Sequence, residues 1–297
     1  MNKNIFYSLG AVLIWATLAP VAKLVLNNVP NFEVLTVAAA VAFLFLLMYN
    51  IANGSIKKMK QYKPVDYLKM GGLGFLGMFM SNELYYYGIS TMTSQEACIL
   101  NYLWPIMILI FSCIILREKF TVMKIIAILC SFAGIVILSV GSNGTGGTVL
   151  GIAATVLNAV CYGLFSALNK KANYNQNIAM MIFWFATAVS GGLAGIICGS
   201  VIPTEKWVSM DLMQILGLVW LGIAVKAFGY LLWAIGLEKA SDSGKVANLA
   251  YLTPFLSIII SFFLLGEPVK LRALVALVFI VGGIILQYFW DHRKAAK

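Results

Sequence analysis

The chain has 297 residues, of which 61% are apolar and 11% charged, with a mean hydropathy of +0.91. Soluble domains carry roughly 25% charged residues, and stretches such as 122–140 and 271–288 are apolar on every face, which excludes a water-soluble globule. The net charge of +10 does not mark a nucleic-acid partner, because the basic residues sit in short loops between apolar runs.

A helix needs about 20 apolar residues to cross the hydrocarbon core of a bilayer. In chain order the sequence offers ten such spans, at 5–25, 34–52, 68–88, 94–116, 122–140, 149–167, 178–199, 212–237, 246–265 and 271–288. Turn chemistry separates them: Pro30 among asparagines, Asn53 and Gly54, the glycines of 141–147, Pro203, and Gly266 with Pro268. The first span lacks a small-residue cleavage site and reads as a retained helix. The five cysteines all fall inside apolar runs without metal-ligand spacing and behave as small hydrophobes.

Positive charge near span ends sets orientation. With the N-terminus in the cytoplasm, 16 of the 21 Lys and Arg lie inside, three (Lys206, Lys270, Arg272) lie outside, and Lys23 and Lys226 lie within spans. Both termini are therefore expected in the cytoplasm, in the plasma membrane. Residues 291–297 form a short cytoplasmic tail.

The chain also repeats itself. Set against 243–286 at a constant offset of 149, residues 94–137 match at 12 of 44 positions. The informative matches are Ser94 with Ser243, Tyr102 with Tyr251, Pro105 with Pro254, Ser112 with Ser261, Glu118 with Glu267 and Gly134 with Gly283. Two five-helix repeats follow, 1–141 and 148–290. Each holds an odd number of spans, so the second enters the bilayer inverted. Inverted repeats are an architecture of secondary transporters, with the substrate site near the midplane where the halves meet.

The doubled pattern of a Ser/Thr-rich turn, a proline within the span, a terminal Leu-x-Glu and a following glycine-bearing span resembles the EamA-type family of the drug/metabolite transporter superfamily. That resemblance implies an all-α fold of ten transmembrane helices and export or exchange of small metabolites by alternating access. Asn101-Tyr102-Leu103-Trp104-Pro105 resembles the YddG-type branch, associated with export of aromatic and other amino acids. The second copy reads Ala250-Tyr251-Leu252-Thr253-Pro254 and lacks the Asn and Trp.

Ionisable groups inside a span cost several kcal/mol and are functional candidates. Glu83 and Lys226 are expected to face each other from spans three and eight, about 10 Å apart along the axis at 1.5 Å rise per residue. The functional reading gives Lys226 a substrate carboxylate and Glu83 an ammonium or a coupling proton; the alternative is a structural ion pair. Lys226, Tyr230 and Trp233 share a face at i, i+4 and i+7. Asn158 and Tyr162, Asn101 and Trp104, Tyr87, and Asn248 with Tyr251 complete the expected lining. Pro105 and Pro254 are expected to kink their helices. Gly71-Gly72, Gly191-Gly192 and Gly282-Gly283 are expected at close helix contacts, and Lys23 and Glu96 are expected to snorkel to the interface.

The sole histidine, His292, lies in the tail, and no metal-like or Ser/His arrangement suggests an enzyme. No cofactor is expected. The partners are a small-molecule substrate and the lipid bilayer, with no nucleic acid, and both monomer and homodimer stay open. The favoured function is secondary transport of a small amino acid or related metabolite, outward, coupled either to protons or to exchange. The alternative is an organic-cation exporter that uses Glu83 and an aromatic-lined cavity. A channel or a scaffold fits the inverted halves less well.

Overall fold

The structure is a computed structural model that describes residues 3–117, 121–139, 148–200, 210–238 and 248–295. It is all-helical, without strands among the described residues. In chain order the helices are α1 (Lys3–Ala16), α2 (Leu18–Leu26), α3 (Asn31–Ala52), α4 (Pro64–Gly74), α5 (Ser81–Thr91), α6 (Ser94–Asn101), α7 (Trp104–Ile115), α8 (Val122–Ser139), α9 (Val149–Ala172), α10 (Gln176–Ile197), α11 (Leu212–Val219), α12 (Gly229–Glu238), α13 (Thr253–Leu265) and α14 (Leu271–Ala295).

Among the described residues six runs are long and apolar enough to cross a membrane: Phe6–Leu26, Asn31–Ala52, Ser94–Ile115, Val149–Ala172, Gln176–Ile197 and Leu212–Gly236. Val122–Ile137, Leu249–Leu265 and Leu271–Gly283 are apolar over shorter stretches. Residues 64–91 also form one helical run, in which a π-helical segment, Phe75–Met80, joins α4 to α5. A second π-helical segment, Trp220–Phe228, joins α11 to α12. Large apolar side chains face outward around the bundle, Phe263 at 80% exposure and Ile197 at 82%, as a surface solvated by lipid requires.

Helix ends follow local chemistry. Thr93 accepts from the Glu96 amide (3.2 Å), Thr148 from the Gly151 amide (3.0 Å), and Asp211 from the Gln214 amide (2.8 Å). Each satisfies a donor that the first helical turn leaves free. At the other ends Asn173 (φ 53°) and Gly266 (φ 66°) turn the chain out in left-handed conformation.

The principal contacts run α3 on α10, α8 on α14, α9 on α5 and α7, and α1 on α12 and α13. Two apolar clusters result. The larger gathers Tyr86, Leu100, Leu103 and Val225; the smaller gathers Met78, Phe183 and Trp184 between α3 and α10.

The two prolines stand at interruptions of their helical runs. Pro105 and Pro254 occupy the first turns of α7 and α13, after a break in each run. Pro105 has no amide hydrogen for the Asn101 carbonyl and fits the first helical turn, where no intrahelical donor is required. The regular α-helix of the Ser94–Ile115 run is therefore interrupted between Asn101 and Trp104. The glycine expectation changes. A Cβ at Gly71, Gly72 or Gly282 would meet nothing within 4 Å, whereas one at Gly191 or Gly283 would strike Thr36 or Cys130. The tightest helix crossings use other glycines. A Cβ at Gly163 would lie 2.7 Å from the Met107 carbonyl carbon and 2.9 Å from the Ile108 nitrogen, where α9 crosses α7.

Gly163→Val should thus destabilise the protein by about 1–3 kcal/mol through overpacking against backbone, read as a lowered Tm in detergent. Gly72→Ala should leave the Tm unchanged or raise it, since helix interiors favour alanine by about 0.5–1 kcal/mol. Equal responses of the two variants would contradict this assignment of the helix crossing.

Candidate functional site

A cavity of about 290 Å³ lies in the middle of the bundle, close to the lower end of the range of about 300–1,000 Å³ typical of small-molecule sites. Helix interruptions shape its wall. Asn101, Tyr102 and Trp104 reach it from the α6–α7 break, and Ala250 and Thr253 from the start of α13 and the 3₁₀ turn before it. Val225 and Lys226 come from the second π segment, and Ser81 and Asn82 stand directly after the first. A π turn inserts an extra residue into the helix and is frequent at functional sites.

Lys226 is the charged group of this wall and is 1% exposed. Its Nζ donates to Asn82 Oδ1 at 2.8 Å and lies 4.8 Å from the Trp184 ring centre and 5.1 Å from that of Tyr86. Asn82 is held in turn, donating from Nδ2 to the Met78 carbonyl at 2.8 Å. An ammonium buried with one hydrogen-bond acceptor and two ring faces is under-compensated, because an isolated buried charge costs several kcal/mol.

A second polar chain crosses the cavity. Ser81 donates to Asn158 Oδ1 at 2.6 Å, and Asn158 Nδ2 donates to Asn101 Oδ1 at 2.7 Å. Tyr102 donates to the Ala250 carbonyl at 2.8 Å and so links the two helix breaks. The Trp15 indole donates to the Val225 carbonyl at 3.3 Å, within the π segment. The remaining wall is aromatic. Trp15 packs at 5.2 Å from Tyr230 and 5.3 Å from Trp233, and Trp104 meets Tyr162 edge-on at 5.7 Å. Such a wall gives one end of a ligand an ammonium and amides, and the rest aromatic faces.

Of the residues singled out from sequence, Lys226, Asn101, Trp104, Asn158, Tyr162, Tyr230 and Trp233 all line this cavity. Glu83 and Tyr87 do not. They line a second pocket of about 470 Å³ with Asn31, Phe32 and Ser200. Glu83 and Lys226 form no ion pair among the described residues, and the Glu83 Oε2 oxygen is buried without a hydrogen-bond partner. The two charges thus stand in neighbouring pockets without a direct ion pair, close enough to act on each other electrostatically. Tyr251 lies outside the cavity wall, half-buried in the 3₁₀ turn, and the side chain of Asn248 lies outside the described residues.

Sequence reasoning missed Trp15, Asn82, Tyr85, Tyr102, Trp184 and Thr253 as wall residues. Two carried a usable signal: Tyr102 is an identity of the repeat, and Asn82 adjoins Glu83 in an apolar run. Trp184 sits in α10, whose pattern shows nothing of the cavity.

Comparison with known proteins agrees with this architecture. The EamA-like transporter family matches twice, over residues 2–140 and 149–289. An uncharacterized transporter of Clostridium kluyveri is 23% identical over 99% of this chain and 96% of its own length. The aromatic amino acid exporter YddG of Ancylobacter novellus is 27% identical over 83% of each chain. A crystal structure of 23% identity superposes with a TM-score of 0.68, covering 98% of both chains, and so shares the fold. With both matched stretches together spanning nearly the whole sequence, the chain belongs to the EamA-like transporter family.

Proposed function

We propose that this protein is a secondary transporter that moves a small amino acid or related carboxylate across the plasma membrane by alternating access, outward or by exchange. The observation that carries the reading is the buried Lys226 ammonium in the wall of an otherwise uncharged, aromatic cavity. A carboxylate entering the cavity supplies the direct ion pair that Lys226 does not make with Glu83, and the tryptophan and tyrosine faces accept an apolar or aromatic side chain. The relative named as an aromatic amino acid exporter supports this substrate class.

The ten-span, inverted arrangement with cytoplasmic termini belongs to the same proposal. Support comes from the twofold family match and from the way the contacts exchange between the matched stretches. The packing of α9 on α5 and α7 in one sense corresponds to that of α1 on α12 and α13 in the other. A π segment and a proline-started half-helix occur once in each stretch.

The cation-exporter reading is weaker, because no acidic side chain lines the cavity among the described residues. Glu83 stands apart from the substrate in this proposal and serves as the coupling carboxylate. Its orphaned oxygen, next to Asn31 and Tyr87, is suited to gain and lose a proton without touching the ligand.

Three variants test this in proteoliposomes. Lys226→Met should reduce tryptophan counterflow by at least about thirtyfold, since loss of one partner of a buried charge pair costs about 2–5 kcal/mol. Asn82→Leu should reduce it less, by about tenfold, because it only releases the ammonium from its position. Counterflow of quaternary amines that survives Lys226→Met, with no amino-acid counterflow in the parent, would favour the cation reading instead. Glu83→Gln should abolish the stimulation of uptake by an imposed pH gradient while tryptophan binding persists. Retained stimulation would remove Glu83 from coupling.

A further inference from the structure

Past one end of the cavity a buried polar network ties together three segments that are far apart in sequence. Glu267, which follows α13, accepts from the Ser94 amide at 2.8 Å, the Ser94 hydroxyl at 2.8 Å and the Gln95 amide at 3.2 Å. Its backbone carbonyl accepts from the Gln95 side chain at 2.9 Å. The first amides of α6 are thus capped by a carboxylate from the other matched stretch, where the positive end of the helix favours an anion. The Ser94 hydroxyl also lies 2.8 Å from Ser261 Oγ.

Glu96 meets Arg272 at 2.7 Å and Lys270 at 3.7 Å. Lys23 Nζ donates to the carbonyls of Ile89 (2.7 Å), Met92 (2.8 Å) and Ser90 (3.3 Å). Lys23 and Glu96 therefore do not snorkel: the Lys23 ammonium is held by backbone carbonyls, and Glu96, only 4% exposed, is ion-paired through Oε1 while its Oε2 is buried without a hydrogen-bond partner.

The network stands directly over the cavity. Lys23 is one helical turn beyond Ala19, Ser94 one turn before Cys98, and Ile89 one turn beyond Tyr85; Ala19, Cys98 and Tyr85 all line the cavity. Ser94, Gln95, Glu96 and Ser261 are all buried. At this end α2 is joined to the end of α5, and α6 to α13 and α14, by hydrogen bonds or ion pairs.

From this geometry we infer that the cluster of Glu267, Ser94, Gln95, Glu96, Arg272 and Lys23 is a polar clamp that closes the outer mouth of the cavity. It must open for substrate to pass. Its placement at the outer face rests on the orientation and alternating-access reading above. The chemistry suits a reversible seal. Each of these groups can exchange its partner for water at small net cost, because protein and water hydrogen bonds nearly balance, and Arg272 and Lys270 are already partly exposed. An apolar seal of equal area would have to expose hydrocarbon to open.

The test reads accessibility and needs no substrate, so a failed counterflow assay would leave it intact. Cys113, Cys130, Cys161 and Cys198 are replaced by serine, which leaves Cys98 as the reporter beneath the clamp. A membrane-impermeant, charged methanethiosulfonate is applied to right-side-out and inside-out vesicles. In the parent, Cys98 should react slowly from the outside, and Glu267→Ala should speed that reaction by about tenfold or more. Glu267→Gln and Ser94→Ala, which keep more of the local packing, should give smaller increases if the alanine variant fails to fold. Three results would overturn the inference. One is a parent Cys98 that reacts from outside as fast as in the variants. Another is no increase in any variant that is monodisperse with the parental Tm. The third is an increase confined to inside-out vesicles.

Discussion

Burying the Lys226 ammonium in a low-dielectric interior is the constraint around which the centre of this protein is arranged. A helix of regular pitch could place the residue at this depth, but the charge would still need partners. The surrounding sequence supplies Asn82, positioned by its own bond to the Met78 carbonyl, and the faces of Tyr86 and Trp184. These compensate part of the desolvation cost and leave the site receptive to an anion. The cavity, the aromatic wall and the position of the second π segment all bear on how that ammonium is presented.

The interruptions in the helices serve the same end. Regular helices satisfy their own backbone groups and offer a ligand only side chains. The breaks at Asn101–Trp104 and before Thr253, and the two π segments, bring backbone and short polar groups to the cavity at the depth where lipid would otherwise forbid them. They are tolerated because protein covers them: Trp15 takes up the Val225 carbonyl and Tyr102 the Ala250 carbonyl.

Much of this was legible in the sequence, for reasons that can be traced. The face shared by Lys226, Tyr230 and Trp233 follows from helical spacing alone and survives the π segment. Asn101 and Trp104 flank the repeated Tyr102-Leu103 pair, and Asn158 and Tyr162 are one turn apart on a long regular helix. The failures share a cause. Whether Glu83 and Lys226 meet depends on how two helices rotate about their axes, and an inserted π residue shifts that rotation without any sign in the hydropathy pattern. Snorkelling was expected for Lys23 and Glu96 because their partners, Ile89 to Met92 and Arg272, are 66 to 176 residues away in sequence. The interruption expected at each proline falls in the turn before it, so that Pro105 and Pro254 stand in the first turns of the helices that follow.

In the proposed mechanism the cavity reads a carboxylate through Lys226 and an apolar body through its aromatic wall. That mechanism is tested most directly by equilibrium binding of three related ligands to the purified protein: L-tryptophan, indole-3-propionate and tryptamine. The account predicts that the two carboxylates bind and raise the Tm, whereas tryptamine, which has the ring and the amine but no carboxylate, does not. Tryptamine binding as tightly as tryptophan, with indole-3-propionate inert, would contradict it.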